Sequence, residues 1–304
     1  MNGFFNVLKP PGMTSSQVVG AVRRLMNGEK AGHAGTLDPQ AAGILPVMAG
    51  KAARLFDYLV DKRKAYVAEI AFGIATDTQD AQGCITEQGG NFPSVEDVRA
   101  VLKRFVGEIL QAPPSFSAIK QDGRRLYDLA RKGEMVAAQP RPILVEDISL
   151  GRETNNHGMM LTIRCGKGTY VRTLCHDIGK VLGCPAHMRF LLRTQSGAFT
   201  LDTAYTLEEL QRAKEEGRLA DCLLPMDMPL SHLPRADVPK ELDKVCLSGG
   251  PMPLSAFPNL EGAAENTPLR LYLSGAFMGI ACRRGPNAAF RVMVGGGLHD
   301  TQYA

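Results

Sequence analysis

Apolar positions along this chain follow two rhythms. Behind "KPPG" (9–12), Thr14 and Gln17 stand three apart as a capping box, and Val18, Val22 and Leu25 follow at helical spacing, so a helix is predicted directly after a Pro/Gly turn. Ser94 with Asp97 opens a second, where Val98, Val101, Leu102 and Phe105 repeat at i, i+3, i+4 and i+7. Thr206 with Glu209 opens another, ending near Gly217. The period-two rhythm appears in "KAYVAEIAFG" (64–73), where Tyr66, Ala68, Ile70 and Phe72 share one strand face, and again in Met159, Leu161, Ile163 and Cys165. After "GKGT" (166–169) the rhythm returns to helical through Tyr170, Leu174, Ile178 and Val181, with Arg172 expected to point away from the packed face. Residues 225–239, spotted with prolines, read as a linker, and the short runs "LRLYLS", "AFMGIACRR" and "AAFRVMVGG" beyond it read as strands of a small β-rich unit. Irregular alternation before residue 230 favours an α+β fold over a doubly wound parallel sheet.

Between the first helix and the first strand lies "GHAGTLDPQAAG" (32–43), which concentrates Gly32, Gly35, Gly43 and Pro39 around one acid, Asp38. Glycine serves where φ is positive or where something approaches the backbone closely, and a following proline steers Asp38 away from helical geometry. Such a loop presents a side chain better than it builds a core. By itself Asp38 reads as the cap of a turn. As a nucleophile or base it would have to stay ionised in a partly dry pocket, which calls for a cation and hydrogen bonds at its oxygens. Arg172 is the residue type for that task.

Composition is that of a globular chain: 304 residues, 44% hydrophobic, 22% charged, net charge +4. The charge is too mild to demand a nucleic-acid partner, so its distribution matters more. Lys120, Arg124, Arg125, Arg131, Lys132 and Arg141 crowd residues 120–141 with Tyr127 among them, the best stretch for gripping RNA. The 7 cysteines are odd in number and lack a C-x-x-C pair, so neither a disulfide framework nor a zinc knuckle is indicated and a reduced, cytoplasmic compartment is expected. The opening segment lacks the pattern of a signal peptide, and no apolar run spans a membrane. "GILPVMAGKA" lacks the Ser/Thr of a phosphate-binding loop after Lys51, "GKGTYV" lacks the third glycine of a dinucleotide fingerprint, and no His/Cys spacing suits a metal. Nothing in the chain calls for a metal or cofactor. Tyr66 reads either as a core aromatic or as a ring that stacks on a base, His33 as a satisfied loop residue or as a filler for a displaced nucleotide, and Lys9 as a solvated turn lysine or an RNA contact.

Five segments, in order, resemble the bacterial tRNA pseudouridine-55 synthases: "KPPGMTSSQVV" (9–19), "GHAGTLDPQAAGIL" (32–45), "KAYVAEIAFGIATDTQDAQG" (64–83), "PPSFSAIKQDGRRLYDLARKG" (113–133) and "CGKGTYVRTLCHDIGKVLGCPAH" (165–187). Ala42 stands where threonine is common and Phe116 where tyrosine is common. The resemblance implies a pseudouridine synthase fold, a mixed and mainly antiparallel sheet flanked by helices and loops over residues 1–230, with a thumb insertion at 120–141 and a PUA-like RNA-binding domain at 235–304. It implies an isomerase that flips a uridine out of the tRNA T-loop and returns it as its C-glycoside, without a cofactor or metal. Asp38 would be the obligatory carboxylate, acting at C1′, at C6 or on the C2′ proton. Arg172 would hold it ionised, Tyr66 would stack on the uracil, Tyr170 and Leu192 would line the pocket, and His33 would fill the vacated stack. Lys9 and the six basic residues of 120–141 would contact RNA, on the tRNA T-loop and stem, in a monomer. A non-catalytic RNA-binding protein on the same fold is the rival reading; it would be expected to have lost Asp38, Tyr66 or Arg172.

Overall fold

In a computed structural model, residues 1–59, 63–114, 120–121, 124–125, 139–260 and 262–295 are described. The strands in chain order are β1 (Gly3–Lys9), β2 (Ala31–His33), β3 (Ala42–Ala49), β4 (Lys64–Phe72), β5 (Ile74–Thr76), β6 (Ile85–Gln88), β7 (Gly107–Gln111), β8 (Lys120–Gln121), β9 (Arg124–Arg125), β10 (Arg141–Thr154), β11 (Gly158–Cys165), β12 (Ala186–Ser196), β13 (Phe199–Thr200), β14 (Leu223–Leu224), β15 (Arg235–Asp237), β16 (Met252–Pro253), β17 (Pro268–Leu273), β18 (Ala276–Arg284) and β19 (Asn287–Met293). The helices used below are α1 (Ser15–Leu25), α2 (Val95–Leu102), α3 (Val171–Leu182) and α4 (Leu207–Glu215).

The larger sheet runs β14-β1-β3-β12-β4-β11-β10-β7, with β2 on β3 and β13 on β12. Its pairings are antiparallel except for β3 against β12, where Leu192 faces Ala42 and Arg193 faces Gly43. That parallel contact sits just beyond the loop that carries Asp38. The alternation seen in the sequence sorts the side chains: Tyr66, Ala68, Ile70 and Phe72 are buried along β4, with Leu161 and Ile163 of β11 beside them. Helices α2 and α3 cover this half through Val98, Leu102, Leu174 and Ile178. Helices α1 and α4 cover the other half, packing Val18, Val22 and Leu210 on Phe5, Val7, Leu45 and Val47. Helices α1, α2 and α4 all start at the capping boxes expected of them, which satisfy backbone N–H groups that the helix itself leaves open.

Two local expectations change. The first turn of α3 buries Val171, Arg172, Thr173, Leu174 and Cys175 together, so Arg172 is enclosed instead of turned out. Helical spacing tells which residues share a face, but here loops cover the polar face as well. The proline-spotted stretch is also no free linker. Its prolines withhold backbone donors, yet Leu230 and Leu233 lie buried between the two sheets with Leu55, Ile280 and Val294. Strand β15 then joins β17 in parallel, at the edge of a second, five-stranded sheet ordered β15-β17-β18-β19-β16. That sheet has its own apolar core, including Phe257, Leu269, Leu271, Met278 and Ala281. The guanidinium of Arg54 donates to the Met293 carbonyl at 2.7 Å and helps fasten the two sheets.

Candidate active site

The loop between β2 and β3 has almost no regular structure, and the side chains around it supply the hydrogen bonds that a sheet would. The buried Ser15 hydroxyl, in the first turn of α1, accepts from the Leu37 amide at 2.9 Å and donates to the Leu37 carbonyl at 3.0 Å. Lys9 at the end of β1 donates to the carbonyls of Pro10 and Pro39 at 2.8 and 2.9 Å. Arg193 of β12 donates to Gly35, Thr36 and Ile44 carbonyls at 3.1, 3.2 and 2.7 Å. A single guanidinium thus ties both ends of the loop, a use suited to its fixed fork of donors. Gly43 explains itself here: at φ +117° a Cβ would stand 2.2 Å from the Arg193 carbonyl oxygen, so β12 can cross only over a glycine.

Held this way, the Asp38 carboxylate meets Arg172. Nε of Arg172 lies 3.2 Å from one Asp38 oxygen and Nη2 donates to the other at 3.4 Å; the first contact lacks hydrogen-bond angles and is an ion pair. The partners are unequally exposed, 7% for the arginine side chain and 38% for the aspartate, so the guanidinium is sealed in while the carboxylate opens on a cavity. On its other side Arg172 faces Asp80 at 3.7 Å and the Thr78 carbonyl at 3.5 Å. One buried cation therefore serves two acids from two loops, the condition that makes burying a charge tolerable.

The cavity encloses about 260 Å³ and is lined by Thr36, Leu37, Asp38, Lys64, Tyr66, Gly168, Thr169, Tyr170, Val171, Arg172 and Leu191. Tyr66 forms part of its floor and is bonded through its side chain to Arg193; burial pushes its phenol up to about 12, so the ring stays neutral. Tyr170 caps α3 at the rim. The buried amide of Gln111 clasps its backbone on both sides, accepting from its N–H at 2.8 Å and donating to its carbonyl at 3.1 Å.

The arrangement unites Asp38, Tyr66, Tyr170 and Arg172, and corrects other expectations. Leu192 lies opposite Val67 on the far face of β4 and β12, whereas Leu191 pairs with Ala68 on the face of Tyr66 and lines the cavity. A one-residue step in a strand exchanges faces. Lys9 is fully buried and props the loop from beneath, so it is neither a solvated turn lysine nor in reach of a ligand at the surface. Burial draws its ammonium down to about 8, while the nearby Asp38 charge pulls the other way. His33, in β2, is not among the residues lining the cavity; burial and Arg193 lower its pKa, which keeps the ring uncharged at neutral pH, and its Nδ1 has no hydrogen-bond partner among the described residues. Arg141 is exposed on β10, paired with Gln111. Lys120, Arg124 and Arg125 lie in the paired strands β8 and β9, and Phe116, Tyr127, Arg131 and Lys132 lie outside the described residues.

Arg193, Asp80, Gln111, Ser15 and Lys64 escaped the sequence reading. Of these only Lys64 carried a local signal, since it stands two residues before Tyr66 on the same strand face. Among the described residues no group of three or more His, Cys, Asp or Glu could hold a metal ion, and no helix is long and apolar enough to cross a membrane.

Comparison with known proteins covers most of the chain. Residues 23–171 match the model of the TruB family pseudouridylate synthase N-terminal domain, and residues 172–231 that of the tRNA pseudouridylate synthase B C-terminal domain. The chain is 46% identical over 249 residues to tRNA pseudouridine synthase B of Alkaliphilus oremlandii, covering 82% of each. It is 45% identical over 254 residues to the protein of the same name from Pelotomaculum thermopropionicum, covering 82% of this chain and 80% of that one. Among solved structures, the crystal structure of a Cbf5-Nop10-Gar1 complex matches with a TM-score of 0.73 at 27% identity, over 97% of this chain and 85% of that chain. The structure of an H/ACA RNP bound to a substrate RNA containing 2'-deoxyuridine matches with a TM-score of 0.72 at 25% identity, over 97% and 86%.

Proposed function

The chain belongs to the TruB family of pseudouridylate synthases, so it is an isomerase that converts uridine to pseudouridine in tRNA, and on that premise we propose that its target is uridine 55 of the T-loop and that Asp38 is the carboxylate that acts on it. In the reaction the N1–C1′ bond breaks, a C5–C1′ bond forms, and the C5 hydrogen leaves as a proton while N1 gains one. The observation that carries the reading is the Asp38–Arg172 pair beside a cavity floored by Tyr66. An ionised carboxylate facing a partly dry pocket is the group needed to attack C1′, to add to C6 or to take the C2′ proton. A charge-assisted contact to the sealed guanidinium of Arg172 holds that carboxylate in place against the cavity.

A uridine stacked inside the T-loop has to be extruded, at a cost of a few kcal/mol. Stacking on the face of Tyr66 returns about 1–3 kcal/mol, and contacts to the RNA backbone supply the rest. Tyr170 closes the side of the pocket, and Leu191 takes the role expected of Leu192. His33, neutral and at the base of the loop, fills the space that the base vacates. The basic residues of 120–141 grip the T-loop and stem as a thumb, and residues 235–304 form a PUA-like domain that extends the RNA surface; we place the protein in the cytoplasm, as a monomer.

Unmodified tRNA tritiated at uracil C5 tests this directly. The parent protein should release label, and Asp38→Asn should slow release by about 10⁴-fold or more, as for other obligatory side chains. Equal release by Asp38→Asn would defeat the mechanism, and release from a transcript without the T-loop uridine would move the target elsewhere.

A further inference from the structure

Two cavities flank the "GKGT" turn at the mouth of the site. The first is the Asp38 cavity. The second, of about 140 Å³, is mostly apolar and includes Phe56, Leu59 and Phe199 in its wall, with Lys167 of the turn beside them. Lys64 and Gly35 belong to both walls. A Cβ built on Gly35 would stand 3.9 Å from Nη1 of Arg193 and 4.0 Å from Nζ of Lys64, so two cations converge behind the loop. Their situations differ. Arg193 is satisfied by three carbonyls and Tyr66, whereas no hydrogen bond or ion pair joins the Lys64 ammonium to a described residue. A half-buried ammonium without a hydrogen-bond acceptor costs stability unless something that binds beside it accepts its hydrogen bonds.

We propose that Lys64 donates a hydrogen bond to a pyrimidine oxygen of the flipped uridine and carries the negative charge that the ring acquires during the isomerisation. The inference rests on the function assigned above. Each of the three routes open to Asp38 charges the ring. Attack at C1′ forms a C–O bond to Asp38 and expels N1 with the bonding pair, which spreads to O2 and O4. Removal of the C2′ proton forms a C1′–C2′ double bond and expels the same anion. Addition at C6 pushes the C5–C6 π pair onto O4. A fixed N–H donor at such an oxygen lowers all three barriers without giving up its proton.

Position separates this role from gripping a phosphate. Lys64 and Tyr66 point to the same face of β4, about 7 Å apart at two strand steps, so a ring lying on Tyr66 brings its edge within reach of Lys64. Lys167, exposed on the turn, is better placed for the RNA backbone. The groups packed around Lys64 act on its charge in opposing directions. Burial and Arg193 of β12 lower its pKa, with Cys165 raising it. Cys165 of β11, its cross-strand partner, is itself pushed up to about 11 by burial and stays neutral, as does Tyr66. Asp38, Arg172 and Lys167 are the other charged residues of the two walls, and Asp38 is held by Arg172. Occupation by an anionic ring therefore meets an ammonium that has no competing partner among the described residues.

The test compares parent, Lys64→Met and Lys64→Arg in single-turnover release of tritium from uracil C5, alongside tRNA affinity by filter binding. Lys64→Met should slow release about 100-fold, as does loss of one oxyanion donor, while the Kd for tRNA changes less than about threefold. Lys64→Arg should stay within about tenfold of the parent and move the alkaline fall of the rate to higher pH, because guanidinium keeps its proton. Release by Lys64→Met at the parental rate would overturn the proposal. So would a loss confined to Kd together with a shallower salt dependence, which marks a phosphate contact. If Lys64→Met does not fold, Lys64→Arg decides, and an unmoved alkaline limb counts against the proposal. A parent protein that releases no label would instead defeat the assigned function and leave the lysine variants without a reaction to affect.

Discussion

The two sheets of this protein treat polar groups in opposite ways. Among the described residues, those buried with polar or charged side chains, Lys9, Arg172, Arg193, Gln111, Ser15 and others, all precede residue 194 and, apart from Thr76 in β5, belong to the larger sheet and the helices on it. The five-stranded sheet buries Leu269, Leu271, Met252 and Phe257 and keeps its ion pair, Arg235 with Asp237, at the surface. A buried charge costs several kcal/mol to desolvate, so it persists where geometry needs it. In the larger sheet the buried cations each hold a particular loop atom: Lys9 holds Pro39, Arg193 holds Gly35 and Thr36, and Arg172 holds Asp38. In the smaller sheet the comparable contacts, Arg270 to the Leu233 carbonyl and Tyr272 to Asp227, reach back to the segment that leads into it, and its interior is held by apolar packing.

Three measurements would break or sharpen that contrast. Arg172→Ala leaves Asp38 and Asp80 facing each other without their cation, and should cost about 3 kcal/mol of stability together with most of the activity. Urea unfolding and single-turnover release read the two losses, and an active, fully stable variant would show that the pair is ornamental. Leu271→Ala, in the core of the smaller sheet, should cost about 2–3 kcal/mol by leaving a cavity, yet leave the single-turnover rate at saturating enzyme unchanged. A matching fall in rate would mean that the two sheets work as one unit. Smallest is a pH effect at Lys9, whose folded-state pKa of about 8 lies below the ordinary 10.5. Below 8 both folded and unfolded states carry the proton, and above 10.5 neither does. In the window between, the unfolded chain holds the extra proton, so the parent should gain on Lys9→Met as pH rises, by about 1 kcal/mol per pH unit. A stability difference that stays flat through this window would show that the carbonyl contacts outweigh burial.

Much of the larger sheet could be read in advance because local chemistry and tertiary packing agree there. The three capping boxes, the alternation around Tyr66 and the glycine-rich setting of Asp38 each follow from rules acting over a few residues. Reading failed where a long-range partner decided the outcome. Leu192 and Leu191 differ only in which face of β12 they occupy, and a register set by β4 assigns those faces. Lys9 reads as a surface lysine until β3, α1 and the loop close over it. The acid across Arg172 from Asp38 also went unseen, since Asp80 arrives from a loop that has no sequence relation to the first.

The sequence by itself determined the residue types of the site and the family to which its motifs point, because a short motif encodes a turn, a cap or a strand face through bonds it makes with itself. Only the tertiary structure decided which charges are sealed in, which leucine lines the cavity and that the Lys64 ammonium stands there with no partner among the described residues. Those properties belong to the space between distant segments, where burial and the nearest opposite charge are set by folding.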